Sequence, residues 1–176
     1  MSRNLATMFT MTTYGVWLRG DARGWVQNGQ LMPPRPSMES VDRQQLRYSP
    51  FYFARADFSA VGNAIGESLI ERMELTVYAM TVQSWHVHFV VGTTRRRAGD
   101  IVKCAKDSVR WRLRVDRPIW GAGHDKRFCY DEGAVASRID YVERHNLAMK
   151  LERRPYSFLA RYRFLDARIA RSGGCS

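Results

Sequence analysis

Two strand-like runs, 74–82 (ELTVYAMTV) and 85–92 (WHVHFVVG), separated only by a tight turn at Gln83 and Ser84, constrain the fold of this chain most. Both are rich in β-branched and aromatic residues, so they read as neighbouring strands. A segment of helical period flanks each side. In 57–73 the apolar residues fall at Phe58, Val61, Ile65, Leu69 and Met73, with Asp57 as a candidate cap; in 99–115 they fall at Ile101, Val102, Ala105, Val109 and Leu113. Further out, 7–18 (TMFTMTTYGVWL) reads as a strand and 118–130 as a short strand or two around Gly121 and Gly123. Residues 131–149 read as a helix whose acidic start complements the helix dipole. The order β, α, β, β, α, β, then a final helix predicts a ferredoxin-like α+β domain: an antiparallel sheet with helices on one face, and a late helix carrying a tyrosine. Between the first strand and the first helix, 20–50 holds Gly20, Gly24, Gly29, Pro33, Pro34, Pro36 and Pro50, which predicts a long loop with a short helix near 39–47. The whole chain, 1–176, reads as one domain, with a basic, aromatic tail from about 153.

The residues that carry chemistry sit on two of these elements. On a strand, alternate side chains share a face, so His86 and His88 point the same way, and two imidazoles on one face can share a metal ion. On the last helix, Val135, Ile139, Val142 and Met149 form the apolar stripe expected to face the core. Ala134, Arg138, Tyr141, His145 and Ala148 form a different stripe, on which Tyr141 and His145 are i,i+4 neighbours. Three histidines would leave open positions on a shared ion for a substrate oxygen. A tyrosine one turn from the third would stand beside that oxygen. Tyrosine is a weak nucleophile at neutral pH, its free pKa being near 10, and it needs an electrophile polarised by a metal.

Charge points to a polyanionic partner. The net charge is +11. Residues 95–117 carry nine basic and three acidic side chains, 144–176 carry eight and two, and the rest is close to neutral. Two concentrated basic segments suit a phosphate-tracking surface, and a solvated basic face is the alternative. Three cysteines, Cys104, Cys129 and Cys175, with no CxxC spacing, argue against a disulfide framework or a thiolate zinc site. No apolar run is long enough to span a membrane and the N-terminal segment lacks a secretory pattern, so the expectation is a cytoplasmic protein with no membrane partner.

Taken together, His86-Val87-His88 and the downstream Ile139-Asp140-Tyr141-Val142-Glu143-Arg144-His145-Asn146 resemble the HUH-type single-tyrosine transposases, which include insertion-sequence and REP-associated tyrosine transposases. The segment Thr12-Thr13-Tyr14-Gly15-Val16-Trp17-Leu18 and the region of Trp120 are also similar, and the resemblance covers roughly 7–160. It implies a metal-dependent single-stranded DNA endonuclease and strand transferase acting through a 5′-phosphotyrosine. Tyr141 would be the nucleophile, His86, His88 and His145 the metal ligands, and Mg²⁺ or Mn²⁺ the cofactor. His145 stands where glutamine is common in the insertion-sequence enzymes, and imidazole ligation leans toward Mn²⁺ or a later metal. The resemblance further implies single-stranded, hairpin-containing DNA as partner, and either a monomer or a homodimer that exchanges the tyrosine helix.

Arg95, Arg96 and Arg97 follow the histidine strand directly, and Lys103, Lys106 and Arg110 share one face of the next helix. These six are expected to contact backbone phosphates. Trp111, Tyr156, Phe158, Tyr162 and Phe164 are candidates for base stacking, with packing as the alternative. His124 is a candidate proton donor to the leaving oxygen. Tyr14 and Tyr130 are rival nucleophiles without a histidine one helical turn away. Competing functions are an inactive, domesticated nucleic-acid-binding regulator, a relaxase or replication initiator, and a three-histidine zinc hydrolase. A relaxase is disfavoured by the chain length and the lack of a GxxxxGK[ST] loop, and a zinc hydrolase by the lack of a base placed as in HExxH.

Overall fold

The computed structural model describes residues 3–27 and 30–163. The chain forms β1 (Ala6–Thr12), a small hairpin of β2 (Trp25–Gln27) and β3 (Gln30–Met32), then α1 (Pro36–Gln44) and α2 (Phe58–Glu71). After these come β4 (Val77–Val82), β5 (His86–Gly92), α3 (Ala98–Leu113), β6 (Asp125–Cys129) and α4 (Glu132–Ala148). The four-stranded sheet runs β4-β5-β1-β6, with each neighbouring pair antiparallel. With the hairpin and α1 set aside, this is the ferredoxin-like β-α-β-β-α-β path with a helix added at its end. Phe51, Phe53 and Trp120 pack edge to face beneath the connections.

Strand parity divides the core into two layers. Val87, Phe89 and Val91 of β5, with Phe9 and Met11 of β1, face α2 and α3 and meet Val61, Ile65, Leu69, Ile101, Ala105 and Val109. The intervening positions Met8 and Val90, with Ala6 and Ala79, face Val135, Ile139 and Val142 of α4. So α2 and α3 cover one face of the sheet, and the late helix covers the other. His86 and His88 share the parity of Val90 and therefore lie under α4.

Local chemistry explains the ends of the elements and their differences from expectation. Asp131 caps α4, its carboxylate accepting from the Ala134 N–H at 2.7 Å. Asp57 stands at the N-cap of α2 but its side chain makes no capping bond there. β1 ends at Thr12 rather than near 18, because Gly15 turns the chain with φ of +73°. In 20–50 the short helix begins at Pro36, earlier than the expected 39, since a proline N–H is not missed in a first turn. The hairpin was not expected, for three-residue strands carry too little alternation to read. Cys104 and Cys129 are free thiols, and Cys175 lies outside the described residues. No helix among the described residues is long and apolar enough to cross a membrane.

The tail is partly core. Tyr156 is buried with its hydroxyl donating to the Phe58 carbonyl at 3.2 Å, and Phe158 stacks on it at 5.4 Å. Packing, the alternative to base stacking, holds for both, while Phe164 lies outside the described residues. Gly62 and Gly66 make room: a Cβ there would sit 2.2 Å from Tyr156 and 2.1 Å from Phe158. Gly62→Ala is expected to lower stability by about 1–3 kcal/mol through overpacking. Urea unfolding measures this, with Gly99→Ala, also helical and meeting nothing within 4 Å, as the clash-free comparison.

Candidate functional site

The register of β1 against β5 sets Thr10 opposite His88 and Thr12 opposite His86. α4 crosses above them and brings down Tyr141 and His145, one turn apart. The helix is fixed at its end by Asn146, which is buried and donates to the carbonyls of Met80 and Arg153, both at 3.0 Å. Ring centroids are 4.5 Å apart for His86 and His88, 5.2 Å for His88 and His145, and 6.0 Å for His86 and His145. One donor nitrogen from each of the three lies within 4.8 Å of the others. The Tyr141 ring is 4.5 Å from that of His145 and 5.5 Å from that of His88.

The hydrogen bonds set which nitrogens are available. His145 Nδ1 lies 2.9 Å from the Tyr141 carbonyl, which can only accept, so Nδ1 donates there and Nε2 is the nitrogen left for a metal. His88 Nδ1 is held by Thr10 Oγ1 at 2.8 Å. His86 Nδ1 is buried without a hydrogen-bond partner. Burial, reinforced by positive charge at His145 and Arg23, pushes the His86 pKa down to about 4. Burial, then His86 and His145, pushes that of His88 down to about 3. Both rings are therefore neutral at neutral pH, the form in which imidazole binds metals. Two neutral imidazoles, one with an orphaned nitrogen, converging with His145, fit a divalent ion. With no carboxylate in the set, they fit Mn²⁺ or a later metal better than Mg²⁺.

The cluster opens into a cleft of about 750 Å³. Its lining includes Arg138, Tyr141 and His145 from α4 and Trp17, Trp25 and Leu31 from the insert. Arg138 is half-buried and, alone among the arginines lining this cleft, has no ion pair among the described residues. Arg19 is bound by Asp42 and Arg127 by Asp125. His124 is exposed on the loop bordering the cleft. Tyr130 is half exposed beside Phe128, and Tyr14 packs edge-on against Tyr48, so neither rival tyrosine is in ring contact with the histidines.

None of the six residues expected to contact phosphates lines the histidine cleft itself. Arg95, Arg96 and Arg97 follow the far end of β5, six residues or about 20 Å along the strand from His86, and Arg96 pairs with Glu74. Lys103, Lys106 and Arg110 border a second cleft of about 660 Å³ on the α3 side. Lys106 also has an internal role: its ammonium donates to the carbonyls of Gly121 and Gly123, both at 2.8 Å, and braces the loop that carries His124. Lys103 pairs with Asp107 at 2.5 Å. Trp111 is exposed on α3. Thr10 carries no signal of a role in the sequence, whereas Arg138 stands there on the Tyr141 stripe and Asn146 closes the tyrosine motif, neither with a role assigned. Strand parity alone places Thr10 on one face with Met8 and Thr12.

No protein-family model matches the chain, and no curated protein does. Among solved structures, the chain is similar to a REP-associated tyrosine transposase bound to a REP hairpin. The TM-score is 0.49 and the identity 11%, over 84% of this chain and 69% of that one.

Proposed function

We propose that the chain is a metal-dependent single-stranded DNA endonuclease and strand transferase with Tyr141 as its nucleophile. The observation that carries this reading is the placement of Tyr141 beside three converging imidazoles, 4.5 Å from His145 and 5.5 Å from His88 between ring centroids. His86, His88 and His145 would hold the ion. When bound, a divalent ion there supplies Lewis-acid polarisation of the scissile phosphate. Tyr141 Oη forms a bond to phosphorus while the bond from phosphorus to the 3′ oxygen breaks. The phenol gives up its proton, the 3′ oxygen takes one up, and His124 is the exposed group bordering the cleft that can exchange it. The product is a 5′-phosphotyrosine and a free 3′-hydroxyl. One ester replaces another, so rejoining needs no nucleotide cofactor.

Thr10 fixes the orientation of His88 and belongs to this machinery. Thr10→Val keeps shape but removes the hydrogen bond, and is expected to weaken Mn²⁺ binding on the order of tenfold by calorimetry. Arg138 lines the cleft without an acidic partner among the described residues and contacts a backbone phosphate. Arg138→Gln is expected to flatten the salt dependence of single-stranded DNA binding, reducing the slope of log K against log salt by about 0.7.

The test incubates the protein and Mn²⁺ with a labelled pool of hairpin-containing single-stranded oligonucleotides, followed by a denaturing gel. A labelled protein band that EDTA abolishes is the expected result. Binding across a diverse pool with no adduct would overturn the reading in favour of an inactive binding module.

A further inference from the structure

The part of the cleft that the insert lines is built in a way that phosphate contact alone does not require. It comes from the insert between β1 and α1, and its two short strands are too small to be stable unaided. Side-chain bonds hold it instead. Trp17 Nε1 donates to the Gly24 carbonyl at 2.7 Å and Trp25 Nε1 to the Pro33 carbonyl at 3.0 Å. Arg23 grips the Asp21 carboxylate and lies 4.5 Å over the ring of Trp85, whose centroid is 4.0 Å from that of His86. Gly20, at φ of +86°, lets the Arg35 backbone approach so closely that a Cβ would fall 2.2 Å from its carbonyl oxygen. The insert is therefore tied to the residue preceding the first histidine.

What this frame presents is apolar. Trp17 is 38% exposed with its N–H already engaged, so its rotation is fixed and its free surface is ring. The cross-strand pair Val26 and Leu31 is 57% and 74% exposed, and both line the same cleft. An exposed apolar surface on so small an element adds nothing to the core and marks a contact surface. The same cleft is also lined by Arg138 and the candidate nucleophile of α4. A cleft that combines a cation with a fixed aromatic and aliphatic surface matches one nucleotide: phosphate toward α4, base toward the insert.

Resting on the single-stranded DNA reading above, we propose that Trp17, Val26 and Leu31 form a base-holding site that takes an unpaired nucleobase next to the scissile phosphate. The site recognises the flat apolar face of a base, which duplex stacking would hide. The insert thereby selects single strands over duplex at the position of cleavage.

The test compares fluorescence anisotropy binding of oligothymidylate with that of a fully abasic strand of equal length, in EDTA so that no strand is cut. The two carry the same charge. Wild type is expected to prefer the base-bearing strand by roughly tenfold. Trp17→Ala is expected to lose most of that preference while holding the abasic strand as before, and Trp17→Phe, which keeps a ring but loses the bond to Gly24, to keep part of it. Leu31→Ser, a change at a largely exposed position, is expected to reduce the preference and decides the matter if Trp17→Ala fails to fold. Equal binding of the two strands by wild type, or a preference that survives in Trp17→Ala and Leu31→Ser, would overturn the proposal. Failure to bind either strand would do so too. An adduct at Tyr141 without a base preference would overturn the base site alone. A base preference that depends on Trp17 without any adduct would support the site and overturn the strand-cutting reading.

Discussion

Tyr141→Phe is expected to reduce strand cleavage on the order of 10⁴-fold or more, because it removes the attacking atom and leaves only positioning. DNA affinity should stay close to that of the wild type. The ring is half-buried and packs against His145 and His88, and phenylalanine keeps those contacts. The fold should be unaffected for the same reason, since the core stripe of α4 is Val135, Ile139 and Val142. The variant thus separates binding from chemistry. Its measurement is a denaturing-gel time course beside an anisotropy titration. Cleavage that persists at the wild-type rate would remove Tyr141 from the mechanism.

The second large effect concerns the ion. A metal that binds only the folded protein stabilises it by RT ln(1 + [L]/Kd), about 2.7 kcal/mol at a hundredfold excess over Kd. Wild type should melt at a higher temperature in Mn²⁺ than in EDTA, and His88→Ala should lose this increment. His88 is buried between Thr10 and α4, so the variant in EDTA is also expected to melt somewhat lower than wild type. The diagnostic quantity is therefore the difference between the two media within each protein. An equal Mn²⁺ increment in both proteins would mean that the ion binds elsewhere.

Much of this arrangement could be read from local periodicity. Two-residue spacing on β5 put His86 and His88 on one face, and helical spacing put Tyr141 and His145 on another stripe from Val135, Ile139 and Val142. Long-range register was harder to see. That Thr10 meets His88 depends on the β1–β5 pairing, and Thr10 carries no mark of its own. Neighbours in sequence need not be neighbours of the cluster in space. Arg95, Arg96 and Arg97 directly follow the histidine strand, yet a strand carries its two ends far apart, and they emerge away from the cluster. Lys106 sits on a helix face that reads as solvated, but the Gly121–Gly123 carbonyls fold over its ammonium. The insert was legible only as a density of Gly and Pro, because indole-to-carbonyl bonds and a cation over Trp85 hold it together. Tyr156 and Phe158 looked available for stacking, and only the glycine pair on α2 shows why they are packed.

The most direct measurement maps the covalent adduct to a residue. Trypsin cleaves after Arg138 and Arg144, which isolates Ile139-Asp140-Tyr141-Val142-Glu143-Arg144 with a single tyrosine. After reaction with Mn²⁺ and single-stranded DNA, nuclease trimming and mass spectrometry should find the nucleotide mass on that peptide. A nucleotide on the peptide carrying Tyr130 or the one carrying Tyr14, or no modified peptide despite strand cleavage, would contradict Tyr141 as the nucleophile.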